Sequence, residues 1–294
     1  MNTDYRAYTA EQLQQQYSAR DAVPEHLQIF QFWQQQSEAY RAVANAVFDL
    51  SYGESERQKL DLFLPLTAFK PAPLFIFMHG GYWQAMSKDL FSFIAKELNK
   101  HGIAVAILNY DLCPTVTLDE ITSQIRQAIC WLGHHADEYS INKQQLHLCG
   151  HSAGGHLTAA MMATDWQTIE PEFDSSVIRS GLSISGVFEL EPLIYTGINQ
   201  ALGLELESAR RNSPALASPT LNLPLTLLVG GNESAEFHRQ SQQLAKEWGS
   251  QGVLTQYESL PGLNHFTMIN EFALDNSPLL KHALDLVKSG NRSH

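Results

Sequence analysis

Gly150-His151-Ser152-Ala153-Gly154 forms a G-x-S-x-G pattern, a setting in which a serine hydroxyl can act as a nucleophile. An apolar run at 146–149 leads into it, and a helix-forming stretch at 155–163 follows. Strand, sharp turn and helix give the pattern its chemical meaning, because a turn that tight holds the serine backbone under strain. Glycines on either side remove the Cβ atoms that would clash there. The pattern alone arises by chance in about one chain in fifteen of this length. Its weight therefore rests on the groups that a serine needs: a base, a carboxylate to orient the base, and N–H donors for an oxyanion.

Where such a triad is built on a parallel sheet, its chain order is Ser, then Asp or Glu, then His. The acid is expected just past a late buried strand. Residues 225–229 fit that strand and run into Gly230-Gly231-Asn232-Glu233-Ser234-Ala235-Glu236. Glu233 is the first acid past the strand and is the candidate. Glu236 is the fallback, although it falls where the first turn of the next helix should begin. His238, His265, His282 and His294 follow. His238 and His282 lie in helical stretches and His294 is the last residue, which leaves His265 as the base. It sits in a loop between the last strand and the last helix. For the oxyanion, one N–H is expected from Ala153. The other is expected from the loop after strand 73–78, which reads His79-Gly80-Gly81-Tyr82-Trp83. Gly81 and Tyr82 are the preferred donors, with Gly80 as a further candidate. Tyr82 and Trp83 should flank the site as an aromatic wall of the substrate pocket.

The elements that must position these residues can be read from periodicity. Residues 9–42 read as helical, with a capping box from Thr9 to Gln12. A second helix opens at Pro24 and carries Leu27, Phe30 and Trp33 at helical spacing. This segment packs on the domain surface, and Phe30, Phe32 and Trp33 are candidates for covering a site entrance. From Phe48 the period changes. Residues 48–52 and 60–64 alternate as strands around a turn at Gly53. Solid apolar runs at 73–78 and 103–108 suit strands buried on both faces. Helices are expected at 88–100, 118–134, 237–248 and 278–287, and further strands at 178–186, 225–229 and 253–259. Alternating strands and helices predict an α/β fold with a mostly parallel central sheet covered on both faces, forming a single domain over 1–294. Residues 187–219 are the least regular and suit an insertion near the catalytic edge.

Composition narrows the partners. Hydrophobic residues make up 44%, an ordinary globular value, and the formal net charge is −12. That charge argues against nucleic acid and anionic membrane surfaces. No apolar run is long enough to span a bilayer, and the first residues lack the apolar core of a signal peptide. A cytoplasmic location is expected. Cys113, Cys130 and Cys149 show no paired spacing and should be reduced, buried thiols. His147 and His151, and His134 and His135, form pairs without a third ligand at zinc-like spacing, and no phosphate-binding glycine motif is present. No metal and no cofactor are expected. The expected partner is a small molecule with a carbonyl that a serine could reach, and a homodimer is compatible with the sequence.

These residues together resemble the kynurenine formamidase (arylformamidase) branch of the α/β-hydrolases, which carries His-Gly-Gly-x-Trp where lipase-like relatives carry His-Gly-Gly-Gly. His79 to Trp83 matches that pattern, as do the elbow at 150–154 and Asn264-His265-Phe266. The segment from Glu233 to Phe237 is similar to one that usually begins with Asp, and here Glu stands in that place. Tyr17, Arg20, Pro24, Trp33, Tyr52-Gly53 and Asp61-Leu62-Phe63 extend the likeness over nearly the whole chain. The resemblance implies an α/β-hydrolase fold and a serine hydrolase acting on a carboxylic ester or aryl formamide. It also implies that His79 orders its loop rather than moving protons. A different class of function, a non-catalytic ligand receptor on the same scaffold, typically lacks a triad member, and all three candidates are present here.

Overall fold

Alternating and solid apolar runs become strands of one sheet in the computed structural model, which describes residues 5–66 and 71–290. Met1 to Asp4 and His294 lie outside the described residues. β1 (Ala46–Ser51), β2 (Lys59–Phe63), β3 (Ala72–Met78) and β4 (Ala104–Leu108) form one half. β5 (Ile141–His151), β6 (Ile178–Ile184), β7 (Leu225–Gly230) and β8 (Thr255–Leu260) form the other. Among the described residues the sheet has eight strands in the order β1-β2-β4-β3-β5-β6-β7-β8. β1 and β2 join antiparallel, and every pairing from β4 to β8 is parallel.

The inner strands carry apolar residues at both parities because both faces are covered. Leu74, Ile76 and Met78 of β3 pack into one cluster, while Phe75 and Phe77 pack into another across the sheet. On the first face lie α5 (Leu118–His135) and α6 (Ala153–Met162), through Ile121, Ile125 and Leu157. On the second lie α3 (His26–Arg41), α4 (Ala95–Lys100) and the C-terminal helix Pro278–Gly290, through Trp33, Leu98 and Leu279. Asp61 of β2 is fully buried and accepts from Lys88 at 2.9 Å and from Arg41, which ties α3 to the sheet. A carboxylate removed from water in this way is held by paired cations.

Two segments differ from the sequence reading. The helix expected at 88–100 is wound as a 3₁₀-helix over Lys88–Ile94, and only Ala95–Lys100 is α. Phe91, Ser92, Phe93 and Ile94 are consecutive and all buried. An α-helix would send one of four such residues to solvent, whereas the tighter winding keeps them against the sheet and α3. The N-terminal segment is also more broken than expected. The capping box on α1 (Ala10–Tyr17) is present, with Thr9 accepting from Gln12 and returning its own N–H. The chain then turns at Ser18, forms the single turn of α2 (Ala19–Ala22), and only later begins α3.

The sheet order puts β4 on one side of β3 and β5 on the other. Loops leaving β3 and β5 therefore diverge around a crevice at the carboxyl ends of the strands, the usual place for a ligand in an open parallel sheet.

Candidate active site

β5 ends at His151 and α6 begins at Ala153, so Ser152 alone makes the turn between them. Its backbone has φ 57° and ψ −116°, a strained conformation for a non-glycine residue. The Ser152 N–H donates to the Ile184 carbonyl at 2.8 Å, which fixes the turn to β6. The flanking glycines are required by contact. A Cβ on Gly150 would lie 2.0 Å from the Gly154 oxygen, and one on Gly154 would lie 1.9 Å from the Met78 oxygen. The elbow is thus pressed against the end of β3, where the His79 to Trp83 loop starts.

Glu233 and His265 are brought together by two loops that clasp each other. Past β7, the N–H of Gly231 donates to Leu260 at 2.7 Å and that of Asn232 to Leu263 at 2.9 Å. Asn264 Oδ1 accepts from the N–H groups of Phe266 and Thr267 at 3.0 and 2.9 Å, which sets the backbone around His265. The result is a contact of 2.6 Å between His265 Nδ1 and Glu233 Oε2. The other carboxylate oxygen accepts from Ser185 Oγ at 2.5 Å and from the Gly230 N–H at 2.7 Å. A carboxylate so placed holds the imidazole proton on Nδ1 and leaves Nε2 as the basic nitrogen. Glu236 faces elsewhere. It accepts from the Tyr17 hydroxyl at 2.7 Å and pairs with Arg239 at 2.8 Å.

Ser152 and His265 line one cavity of about 450 Å³, within the range of small-molecule sites. Gly81, Tyr82, Met86 and Phe266 form much of its wall, and Tyr17 to Asp21 close it from the N-terminal side. The N–H groups of Gly81, Tyr82 and Ala153 donate to no acceptor among the described residues. Gly81, Tyr82 and Trp83 have φ values of 114°, 50° and 57°, so this loop coils left-handedly. Gly80 is buried behind it and does not line the cavity, and its carbonyl accepts from His79 Nδ1 at 2.7 Å.

Trp83 corrects the sequence reading. It is fully buried and forms no part of the cavity wall. The successive left-handed residues send Tyr82 to the cavity, its hydroxyl bonded to the Tyr17 carbonyl at 2.7 Å, and turn Trp83 inward. There Trp83 meets His156 edge-on with ring centroids 4.9 Å apart. Trp33 is likewise a core residue, donating to Asn270 at 2.6 Å. The N-terminal cover comes from the break around α2, not from Phe30, Phe32 and Trp33.

Sequence reasoning missed Ser185 and His151. His151 donates from Nε2 to the His265 carbonyl at 2.8 Å, and the two rings lie 4.7 Å apart. Ser185 follows Leu182-Ser183-Ile184 at the end of β6 with a positive φ of 52°, a signal visible only once the backbone is known. Among the described residues, no group of three or more His, Cys, Asp or Glu side chains could hold a metal ion, and no helix is long and apolar enough to cross a membrane.

Four buried histidines near the sheet share one chemistry. Loss of water lowers His79 and His156 to about 4, His147 to about 3, and His151 well below the usual imidazole range. Each has one ring nitrogen hydrogen-bonded and the other without a partner among the described residues. Their folded values lie below the unfolded one, so the unfolded chain takes up protons first as pH falls. Stability held above about pH 6.5 is then lost toward pH 4, by about 2 kcal/mol at pH 5 for each of His79, His147 and His156. Urea unfolding at pH 7 and pH 5 measures this, and equal midpoints would contradict it.

Known proteins are similar to this chain over most of its length. The BD-FAE family matches residues 60–190. Kynurenine formamidase of Danio rerio is 32% identical over 97% of this chain and 99% of its own length. That of Salmo salar is 33% identical over 92% of each chain. A crystal structure from Silicibacter sp. TM1040 is 33% identical with a TM-score of 0.82, covering 92% of this chain and 97% of that one. Esterase B of Lactobacillus rhamnosis shares the fold, with a TM-score of 0.71 at 20% identity over 92% of this chain and 95% of its own. The likeness runs from the N-terminal helices to the last strand, and by it this chain belongs to the kynurenine formamidase family of α/β-hydrolases, hydrolases of esters or formamides.

Proposed function

We propose that the protein is a serine hydrolase that cleaves an aryl formamide or short carboxylic ester through an acyl-enzyme. The observation that carries this reading is the 2.6 Å Glu233–His265 contact at the wall of the cavity that Ser152 also lines. Ser152 Oγ attacks the carbonyl carbon and His265 Nε2 takes the hydroxyl proton. The oxyanion that forms is held by the N–H groups of Gly81, Tyr82 and Ala153, the last at the N-terminus of α6, where the helix dipole favours negative charge. Collapse expels the amine or alcohol, which receives the proton from His265. A water molecule then loses a proton to His265, attacks the acyl carbon, and frees Ser152 with release of the acid.

Names of the relatives favour N-formylkynurenine, an aryl formamide, as substrate. The aromatic wall of Tyr17, Tyr82 and Phe266 suits its ring. Purified protein should be assayed on N-formylkynurenine beside p-nitrophenyl esters of increasing acyl length. The expected result is a kcat/KM for the formamide at least about 100-fold above that for the best ester, a gap of about 2.7 kcal/mol in transition-state binding. Negligible formamide turnover with brisk ester hydrolysis would remove the formamidase reading.

A further inference from the structure

The cavity contains two charges that the acyl-transfer chemistry does not use. Its acidic or basic lining residues, the two histidines aside, are Arg20 and Asp21, adjacent on the single turn of α2. Both are exposed at the mouth. Neither makes an ion pair among the described residues, whereas Arg41, Arg210, Arg211 and Arg239 are all paired with carboxylates. Arg20 borders an aromatic cluster that reaches the site. Its guanidinium lies 6.0 Å from the Phe30 centroid, Phe30 lies 5.0 Å edge-on to Phe266, and Phe266 lies 5.3 Å from His265.

We infer that Arg20 and Asp21 form a subsite for the zwitterion of a free α-amino acid on the leaving group, Arg20 taking the carboxylate and Asp21 the ammonium. An α-amino acid presents one negative and one positive group across a single carbon. The mouth presents one cation and one anion on adjacent residues, with the guanidinium fork suited to a planar carboxylate. Apart from Ser18, Gln84 and the site's own His151, Ser152 and His265, the rest of the wall is apolar or aromatic, so Arg20 and Asp21 supply its charged side. This inference rests on the serine-hydrolase reading for the reaction, while its own content is where the ligand's charges go.

The test is a binding measurement on protein that carries Ser152→Ala, so that turnover does not intrude. Three probes are titrated by calorimetry: L-kynurenine, kynuramine (which lacks the carboxylate) and desaminokynurenine (which lacks the ammonium). Arg20→Gln is expected to raise Kd about 10-fold for L-kynurenine and desaminokynurenine while leaving kynuramine within about twofold, the size expected of one exposed charge-assisted contact. Arg20→Lys should fall between. Asp21→Asn is expected to weaken L-kynurenine and kynuramine and spare desaminokynurenine. Equal shifts for all three probes, no shift, or no saturable binding of L-kynurenine would overturn the subsite. Continued hydrolysis by the Ser152→Ala protein would instead overturn the nucleophile and leave this binding pattern standing.

Discussion

Ser152→Ala is expected to lower kcat by about 10⁴- to 10⁶-fold with little change in KM or melting temperature. In the proposed mechanism the hydroxyl is the one group at this turn that forms a bond to substrate. Ser152 is 2% exposed, and its neighbours His151 and Ala153 bring no second hydroxyl or thiol to the turn. Alanine keeps a Cβ and therefore keeps the strained turn at φ 57°. Folding should survive because the Ser152 N–H bond to Ile184 and the packing of α6 do not involve the hydroxyl. Residual turnover would come from the N–H donors and from binding. Steady-state kinetics on N-formylkynurenine and a p-nitrophenyl ester check this, and near wild-type turnover would remove Ser152 from the chemistry.

Glu233→Gln is expected to lower kcat by about 10³- to 10⁴-fold, for a reason that lies in hydrogen-bond polarity. Glu233 Oε1 accepts from two donors, Ser185 Oγ and the Gly230 N–H, while Oε2 meets His265 Nδ1. An amide at this position has one oxygen and one NH₂ group. The oxygen must face the two fixed donors, since an NH₂ there would meet the backbone N–H. The NH₂ group then points at His265 Nδ1 and turns that nitrogen into an acceptor. The ring proton moves to Nε2, where it blocks the lone pair that must take the Ser152 proton. Glu233→Asp keeps the charge and should recover part of the loss. The substrate contacts are untouched, so KM should change less than about threefold while kcat falls. A loss below tenfold for Glu233→Gln would show that the carboxylate does not set the tautomer.

How much of this was legible depended on whether a residue's role follows from chain order or from three-dimensional packing. Ser152, Glu233 and His265 are each announced by local context: a glycine-flanked turn, an acid just past a buried strand, a histidine in the last loop. The structure brings Glu233 and His265 together and puts Ser152 on the same cavity. The strands were equally readable, because β3 and β4 are buried on both faces and show it as unbroken apolar runs. Trp83 was misread because periodicity says nothing about three consecutive left-handed residues, and those decide which side chain of the pair turns inward. Arg20 and Asp21 gave no pocket signal. They lie about 130 residues before Ser152 in sequence, and only the break between α1 and α3 folds them over the cavity. Ser185 was invisible for a related reason, since its contact with Glu233 joins residues 48 apart in the chain.

The central claim is that Ser152 is an activated nucleophile. The most direct measurement is reaction of the folded protein with a fluorophosphonate, followed by intact-mass and peptide mapping. The account predicts a single adduct on Ser152, formed rapidly in wild type and at least about 1000-fold more slowly in Glu233→Gln, where the base is blocked. An adduct on another residue, or no adduct on folded protein, would contradict it.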